Sequence, residues 1–214
     1  MSSSLKKPKW LILVPTSMEY EFVVEHISHP EAVVEMCGFG PIVAAAKAME
    51  LITQYQPSNV LLVGIAGAYD PEILTGTAVI GSEVACFGIG AGSGADYQTA
   101  GEMGWMQWRG TGEQDLIGDV LPLANFDNHQ CQILTVCAAY NTSRDLDHRR
   151  RRFPNAAVEE MEGFAVATAA KMCGVPFYLV RGISNRAGDR DKCNWKIPEA
   201  LHAATSLLMD CLKR

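Results

Sequence analysis

Uninterrupted apolar runs alternate with longer segments of helical period along most of this chain. Such runs are typical of β-strands that are covered on both faces, because none of their positions has to face water. The five main runs are WLILV (10–14), NVLLVGIAGAYD (59–70), TAVIGSEVACFG (77–88), CQILTV (131–136) and FYLVRGIS (177–184). A shorter strand is expected at 33–37. Strands that alternate with helices in this way predict a mostly parallel sheet.

Two of the intervening segments have a clear apolar stripe at helical spacing. The first begins at Pro41, a residue favoured in the first turn of a helix, and its predicted stripe is Ile42, Ala45, Met49 and Ile52. The last helix is predicted to bury Ile197, Leu201, Ala204, Leu208 and Leu212. We therefore expect one α/β domain over 1–214, a three-layer α/β/α sandwich around a central mixed, mostly parallel twisted sheet, with a flexible N-terminus at 1–9.

Other segments depart from this regular alternation. Residues 88–112 are rich in glycine and aromatic residues without a period, which predicts a long loop that covers a site. A charged helix is expected to begin at Thr142 and Ser143. Its run of arginines, Arg149 to Arg152, is predicted to be a solvated face, with a subunit contact as the alternative. Three tryptophans near loops are either surface anchors or groups that stack on a flat ligand: Trp105, Trp108 and Trp195.

The composition is that of a globular protein with a sizeable core, and it argues against two classes of partner. The 214 residues are 48% hydrophobic and 20% charged, within the ordinary range for a folded domain. With 24 acidic and 18 basic residues the net charge is −6, which argues against a nucleic acid held by phosphate contacts. The apolar run at 10–14 is too short for a signal-peptide core or a membrane span, so no membrane association is expected.

The cysteines indicate a reducing compartment. There are seven of them, dispersed along the chain, without a CxxC motif or a Cys/His cluster. An odd number of scattered cysteines predicts free thiols rather than a disulfide framework. The protein is therefore expected to be cytoplasmic.

Polar side chains stand at the ends of several apolar segments. These are Glu19 and Glu21, the GIAG loop at 64–67, Glu160 to Glu162, and Ser184 with Asn185. Because ligands of open α/β sheets bind in a crevice at the carboxyl ends of the strands, we expect these groups to converge. The GIAG loop lacks the lysine and Ser/Thr of a P-loop and the spacing of GxGxxG, so it does not indicate nucleotide phosphates.

Glu162 and Asn185 each have two interpretations at this point. Glu162 opens a helix, GFAVATAAKM, that is small and apolar almost all round and therefore buried. Its carboxylate either caps that helix, where the helix dipole favours a negative charge, or accepts hydrogen bonds from the vicinal hydroxyls of a ligand. Asn185 is either a turn residue after a strand or a polar group that reads a ligand.

These segments together resemble the nucleoside phosphorylase and nucleosidase superfamily over nearly the whole chain. The similar motifs are SMEYE (17–21), CGFGPIVAAAKA (37–48), VGIAGA (63–68), FPNAAVEEMEGFAVA (153–167) and VRGISN (180–185). The resemblance implies a cavity for a small nucleoside, with no metal and no organic cofactor. It also implies a homodimer or a larger homo-oligomer.

The resemblance assigns roles to individual residues. Met161 and Glu162 would bind the ribose, with Glu160 beside them, and Glu21 would position the attacking water. Ile65 stands where many nucleosidases have a serine, so the loop would contact the nucleoside through the backbone of Ala66 and Gly67. Tyr140 falls where relatives place an aromatic residue near the nucleoside.

The substrate expectation depends on Ser184 and Asn185. Methylthioadenosine nucleosidases have Ser-Asp there, and an asparagine cannot donate a carboxyl proton to adenine. Its amide can accept from a purine N7–H and donate to an oxygen at position 6, which suits hypoxanthine, with Ser184 orienting the amide. With the loop at 88–105 and RAGDRDKCNWKIPEAL (186–201), the chain is similar to futalosine hydrolases, which release hypoxanthine in a route to menaquinone. Asp189 and Asp191 both stay open as a proton source.

Three alternatives follow from the same residues. No arginine occurs in 16–27 or beside the GIAG loop, and a phosphate dianion requires paired cations, so hydrolysis is favoured over a purine nucleoside phosphorylase. A methylthioadenosine nucleosidase with an unusual residue at Asn185 is the second alternative. The third is a nucleoside-binding or storage protein without activity, against which the presence of Glu21 and Glu162 argues.

Overall fold

The computed structural model describes residues 7–110, 112, 116–124, 126, 130–139 and 143–213, apart from the side chain of Ser143. Within these ranges the chain forms five α-helices, two 3-10 turns (Gly94–Asp96 and Lys192–Asn194) and twelve strands. The helices are α1 (Ser17–His26), α2 (Pro41–Tyr55), α3 (Ser143–Arg152), α4 (Gly163–Met172) and α5 (Ile197–Leu212). The strands are β1 (Trp10–Val14), β2 (Ala32–Met36), β3 (Asn59–Ala68), β4 (Ala78–Phe87), β5 (Gly90–Ala91), β6 (Gln98–Thr99), β7 (Trp108–Arg109), β8 (Leu116–Ile117), β9 (Val120–Pro122), β10 (Gln130–Val136), β11 (Ala156–Glu160) and β12 (Phe177–Arg186).

One mixed sheet organises the molecule. Its strand order is β11-β10-β4-β12-β3-β1-β2, and β9 pairs with β4. The β1–β2, β1–β3, β3–β12, β4–β10 and β10–β11 pairs are parallel, whereas β4–β12 and β4–β9 are antiparallel. The sheet curls so far that β11 also pairs, antiparallel, with β3. This second pairing brings the end of β11 beside the end of β3.

Helices cover both faces of the sheet. Successive residues of β1 point to opposite faces, so Leu11 and Leu13 pack with the apolar residues of α2 and α4. Ile12 and Val14 pack on the other face with those of α1 and α5. This arrangement confirms the predicted three-layer α/β/α sandwich with a mixed, mostly parallel sheet. No helix in the described ranges is long and apolar enough to cross a membrane.

The predicted stripe of α2 is wrong at its first position. Ile42 is 84% exposed, and the helix buries Ala44, Ala48, Leu51 and Ile52. Ile42 precedes Ala44 by two residues, which is about 200° around a helix, so it points away from the core. The stripe predicted for α5 is correct from Leu201 to Leu212, and Ile197 is half-buried.

The arginine run of α3 is only partly solvated, which corrects the prediction. Arg150 and Arg151 are exposed, but Arg149 is buried. Arg149 donates to the Glu159 carboxylate at 2.5 Å and to the Ala138 carbonyl at 2.7 Å. Arg152 donates through Nε to the Tyr97 carbonyl at 2.8 Å. Arg149 therefore connects α3 to β11, and Arg152 connects α3 to the segment after β4.

Candidate active site

The polar groups at the strand ends meet in one cavity of about 340 Å³. It opens at the carboxyl ends of β1, β3, β10, β11 and β12, which is where ligands of open α/β sheets bind. Seven of the nine residues that the sequence predicted for the site line this cavity: Ala66, Gly67, Glu160, Met161, Glu162, Ser184 and Asn185. The predicted convergence is therefore present. Tyr140 lies outside the described residues.

Glu160 holds the beginning of α4 in place. Its carboxylate accepts from the backbone N–H of Glu162 at 2.9 Å and from that of Gly163 at 2.7 Å. It also accepts from the Thr135 hydroxyl and from the Arg181 guanidinium. Glu160 reaches the cavity wall, but its oxygens are engaged by protein donors, so it positions α4 and its neighbours.

Glu162 occupies the N-cap position of α4 without capping the helix through its side chain. Instead, Oε1 accepts from the Gly40 N–H at 2.8 Å, and Oε2 accepts from Arg181 Nη2 at 3.2 Å. The residue is 4% exposed and lines the cavity. Burial raises the pKa of Glu162 to about 7, against the opposing charge of Arg181. The capping interpretation is therefore excluded for this carboxylate.

Arg181 is a buried cation beneath the site that the sequence analysis missed. Its side chain is completely buried and forms ion pairs with Glu160 and Glu162. Burial by itself would lower the pKa of Arg181, but the carboxylates of Glu160, Glu162 and Glu19 raise it. Its Nε and Nη1 find no hydrogen-bond acceptor among the described residues. A charged residue in the middle of the apolar run FYLVRGIS was the signal for it.

Gly64 provides the space in which the Arg181 guanidinium and the Glu19 carboxylate lie. A Cβ at that position would lie 2.3 Å from Arg181 Nη1 and 2.8 Å from Glu19 Oε1. Contacts under about 3 Å between a carbon and these atoms are repulsive, so a larger residue would push the guanidinium and the carboxylate apart. The glycine of the GIAG loop therefore lets Arg181 lie beside Glu19.

The carboxylate of α1 that reaches the cavity is Glu19, which corrects the prediction of Glu21. Glu19 Oε2 accepts from the Thr16 hydroxyl at 2.6 Å and from the Thr16 N–H at 3.1 Å, forming a capping box. Glu19 Oε1 accepts from the Ile65 N–H at 2.9 Å. Glu21 is exposed and does not line the cavity. The two residues are about 200° apart on the helix, so only one can face the sheet.

Ser184 and Asn185 form a fixed polar pair at the end of β12. The Ser184 hydroxyl donates to Asn185 Oδ1 at 2.7 Å, and Asn185 Nδ2 donates to the Arg186 carbonyl at 2.8 Å. Both residues are buried. The hydroxyl donor and the carbonyl acceptor fix which way the amide points, because each end of the amide faces its complement.

The loop after β12 brings three further residues to the cavity, Gly188, Arg190 and Trp195. The Arg190 guanidinium lies 5.7 Å from the centroid of the Trp195 ring. Asp189 lies outside the lining, and its carboxylate accepts from the Asp191 N–H at 2.9 Å and from Asn194 Nδ2 at 3.0 Å. The role of Asp189 that the structure supports is therefore to shape this loop.

Ala66 and Gly67 of β3 form part of the cavity wall. The Ala66 carbonyl accepts from the Ser184 hydroxyl at 3.3 Å. A Cβ at Gly67 would lie 3.1 Å from the Cα of Ala187, so the glycine allows β12 to continue close beside it. The residues of 88–110 do not line the cavity, and Trp105 and Trp108 are exposed.

Comparisons with known proteins identify the family of this chain. Residues 11–213 match the family profile of the phosphorylase superfamily. A 5′-methylthioadenosine/S-adenosylhomocysteine nucleosidase of Maridesulfovibrio salexigens is 28% identical over 172 residues, which are 78% of this chain and 74% of that protein. A futalosine hydrolase of Acidothermus cellulolyticus is 48% identical over 69 residues, 32% of this chain and 28% of that protein.

The fold also matches solved structures. The crystal structure of a 5′-methylthioadenosine/S-adenosylhomocysteine nucleosidase from Colwellia psychrerythraea, in complex with adenine, superposes with a TM-score of 0.77 at 20% sequence identity. The superposition covers 97% of this chain and 96% of that one. At this identity the match shows a shared fold.

Proposed function

Because the chain belongs to the phosphorylase superfamily, we propose that it is a nucleosidase that hydrolyses the N-glycosidic bond of futalosine and releases hypoxanthine. One observation carries the proposal. A buried carboxylate, Glu162, faces the same cavity as the Ser184 and Asn185 pair and is not used as a helix cap. A cavity with an acceptor for hydroxyls and a separate amide for a base suits a nucleoside.

The ribose is held by Met161 and Glu162. A carboxylate accepts hydrogen bonds from vicinal hydroxyls, and the thioether of Met161 offers an apolar contact for the sugar ring. Negative charge near the sugar also favours the positive charge that the ribosyl group gains as the bond to the base lengthens. Arg181 and the Gly40 N–H fix the Glu162 carboxylate for both tasks.

Glu19 positions the water that attacks C1′. Its carboxylate is anchored by Thr16 and by the Ile65 N–H, so it is preorganised at the cavity wall. In the reaction the C1′–N9 bond breaks with its electron pair going to the base, and the water oxygen bonds to C1′. Glu19 takes up the proton that this water loses and later returns it to solvent, while the departing base takes up a proton at N7 from solvent, so that one water is added across the bond.

Asn185 recognises the departing base through hydrogen bonds of its amide group. Its amide can accept from N7–H and donate to O6 of hypoxanthine, whereas the amino group at position 6 of adenine presents a donor to the same amide nitrogen. The Ser184 hydroxyl, which donates to Asn185 Oδ1, supports a single amide orientation. This pairing favours a 6-oxopurine leaving group.

Hydrolysis is favoured over phosphorolysis by the charges around the cavity. Among the described residues that line it, Arg190 is the only cation. Arg181, the other arginine close by, is engaged by Glu160 and Glu162. A phosphate dianion beside the sugar requires paired cations, and these positions do not provide them.

A second candidate is a 5′-methylthioadenosine/S-adenosylhomocysteine nucleosidase. The match to the Maridesulfovibrio salexigens nucleosidase covers far more of the chain than the match to the Acidothermus cellulolyticus futalosine hydrolase. Release of adenine from methylthioadenosine at a higher rate than hypoxanthine from futalosine would favour this candidate.

The experiment is incubation of the protein with futalosine, inosine and methylthioadenosine, each with and without phosphate, followed by chromatography of the released bases. We expect hypoxanthine from futalosine at a rate that phosphate does not change. A requirement for phosphate would identify a phosphorylase. Tight binding of a nucleoside without release of any base would identify a binding protein and contradict the proposal.

A further inference from the structure

Glu159 is a buried carboxylate of the cavity wall that the roles assigned above leave unused. It is 5% exposed and lies on β11 opposite Gly67 of β3. Gly67 is in turn the register partner of Asn185 on β12. Glu159 and Asn185 are therefore level with each other across three neighbouring strands, with a glycine between them. Two strand spacings separate their backbones, which is about 10 Å.

The charge of Glu159 is already balanced by the protein. Arg149 Nη1 donates to Glu159 Oε2 at 2.5 Å, and the Tyr69 hydroxyl donates to the same oxygen. Burial, and then the neighbouring charge of Glu159, raise the pKa of Tyr69 well above its ordinary value, so the phenol remains a donor. Arg149 is fixed in turn by the Ala138 carbonyl. Because Arg149 already neutralises its charge, the Glu159 carboxylate can accept a hydrogen bond from a neutral ligand, and its orientation is fixed before the ligand binds.

We propose that Glu159 determines base specificity by accepting the N1–H of a 6-oxopurine while Asn185 pairs with its N7 and O6 edge. The inference rests on the proposed function and extends it to the opposite wall of the cavity. A 6-oxopurine has a donor at N1, whereas a 6-aminopurine has a lone pair there, which a carboxylate repels. A carboxylate has about four acceptor sites, so Oε1 can take this bond alongside other donors.

The test is calorimetric binding of hypoxanthine and adenine to the wild-type protein and to Glu159→Gln. A glutamine can turn its amide N–H₂ toward adenine N1, so the preference for hypoxanthine over adenine should fall by about 10- to 100-fold. A glutamine that weakens both purines by the same factor would show that Glu159 has a structural role only, which would overturn the inference.

A matched control and a measurement on the wild type make the test independent of folding defects. Tyr69→Phe removes one donor from the same carboxylate while leaving Glu159 in place, and it should keep the wild-type preference. In the wild type, 1-methylhypoxanthine, which lacks N1–H, should bind at least about 10-fold more weakly than hypoxanthine. Equal affinities for these two would also overturn the inference.

The outcomes separate this inference from the proposed function. If the wild type releases hypoxanthine from futalosine and Glu159→Gln retains the wild-type preference, only the role of Glu159 is wrong. If the wild type neither binds hypoxanthine nor releases it, the proposed function fails, and the inference fails with it.

Discussion

Two glutamates in the first turns of α1 have opposite environments. Glu19 is 3% exposed and bonded to Thr16 and Ile65, whereas Glu21 is exposed. The sequence SMEYE offers both as candidates, and a family motif does not by itself state which one the helix turns inward. The capping box decides it, because the Thr16 side chain fixes where the helix starts and hence which position faces the sheet,.

This difference predicts that the same substitution, Glu to Gln, has a large effect on activity at Glu19 and little effect at Glu21. Glu19→Gln should lower kcat about 10²- to 10⁴-fold with little change in KM, because the group that accepts a proton from water is lost. Glu21→Gln is the matched control and should change kcat by no more than a surface substitution does. Steady-state kinetics on futalosine measures both. A large loss in Glu21→Gln with full activity in Glu19→Gln would reverse the assignment.

Glu162 should make stability depend on pH. Its pKa is raised from 4.5 to about 7 in the folded protein, so between these values the folded state holds a proton that the unfolded state has released. Stability should therefore fall as pH rises through this window, by about 3 kcal/mol relative to Glu162→Gln, since each pKa unit corresponds to about 1.36 kcal/mol. Urea unfolding of both proteins between pH 4.5 and 8 measures the difference. Parallel pH profiles would contradict it.

The end of α2 shows how a local element carries strain. Gln56 is its C-cap and adopts a left-handed conformation with φ of 47°. This conformation costs a residue with a side chain about 1 to 2 kcal/mol relative to glycine. Pro57 follows directly and prevents the helix from continuing,.

Gln56→Gly should therefore stabilise the protein. We expect a gain of about 0.5 to 1 kcal/mol, because the relief of strain exceeds the added freedom of the unfolded chain. Gln54→Gly, within α2 and also at an exposed position, should instead destabilise the protein by up to about 1 kcal/mol. Chemical denaturation of the two variants provides the comparison. A loss of stability in both would contradict the account of the cap.

Elements with a strong period were predictable from the sequence, and side chains that depend on partners distant in sequence were not. The run WLILV and the helix that begins at Pro41 appear at the predicted positions because burial on both faces and a favoured first residue are local signals,. Arg149 was misjudged because its partner, Glu159, belongs to another element. Arg181 was missed because its neutralisation depends on two carboxylates brought to it by the β11–α4 turn.

At the scale of the whole molecule, the notable surface feature is a group of exposed apolar side chains near the cavity. Phe39 lines the cavity and is exposed, and Ile42 and Val43 follow it on the surface of α2. Large exposed apolar patches mark contact sites between proteins, and these three side chains are candidates for such a patch. We therefore propose that this face is covered in a homodimer or a larger homo-oligomer.

Light scattering coupled to size exclusion tests the oligomer. The wild type should have at least twice the mass of one chain, and Ile42→Glu should shift it toward the mass of one chain, because a charge is then placed in the contact. A wild-type protein that has the mass of a single chain at assay concentration would contradict the proposal.

The substrate specificity of hydrolysis tests most directly the proposal that this site recognises a 6-oxopurine nucleoside. The measurement is the ratio of kcat/KM for futalosine to that for methylthioadenosine, in phosphate-free buffer, for the wild type and Asn185→Asp. The wild type should prefer futalosine, and Asn185→Asp should lower the ratio by about 100-fold or more, since the group that pairs with the 6-oxo position is replaced. A wild type that prefers methylthioadenosine, or a ratio that Asn185→Asp leaves unchanged, would contradict it.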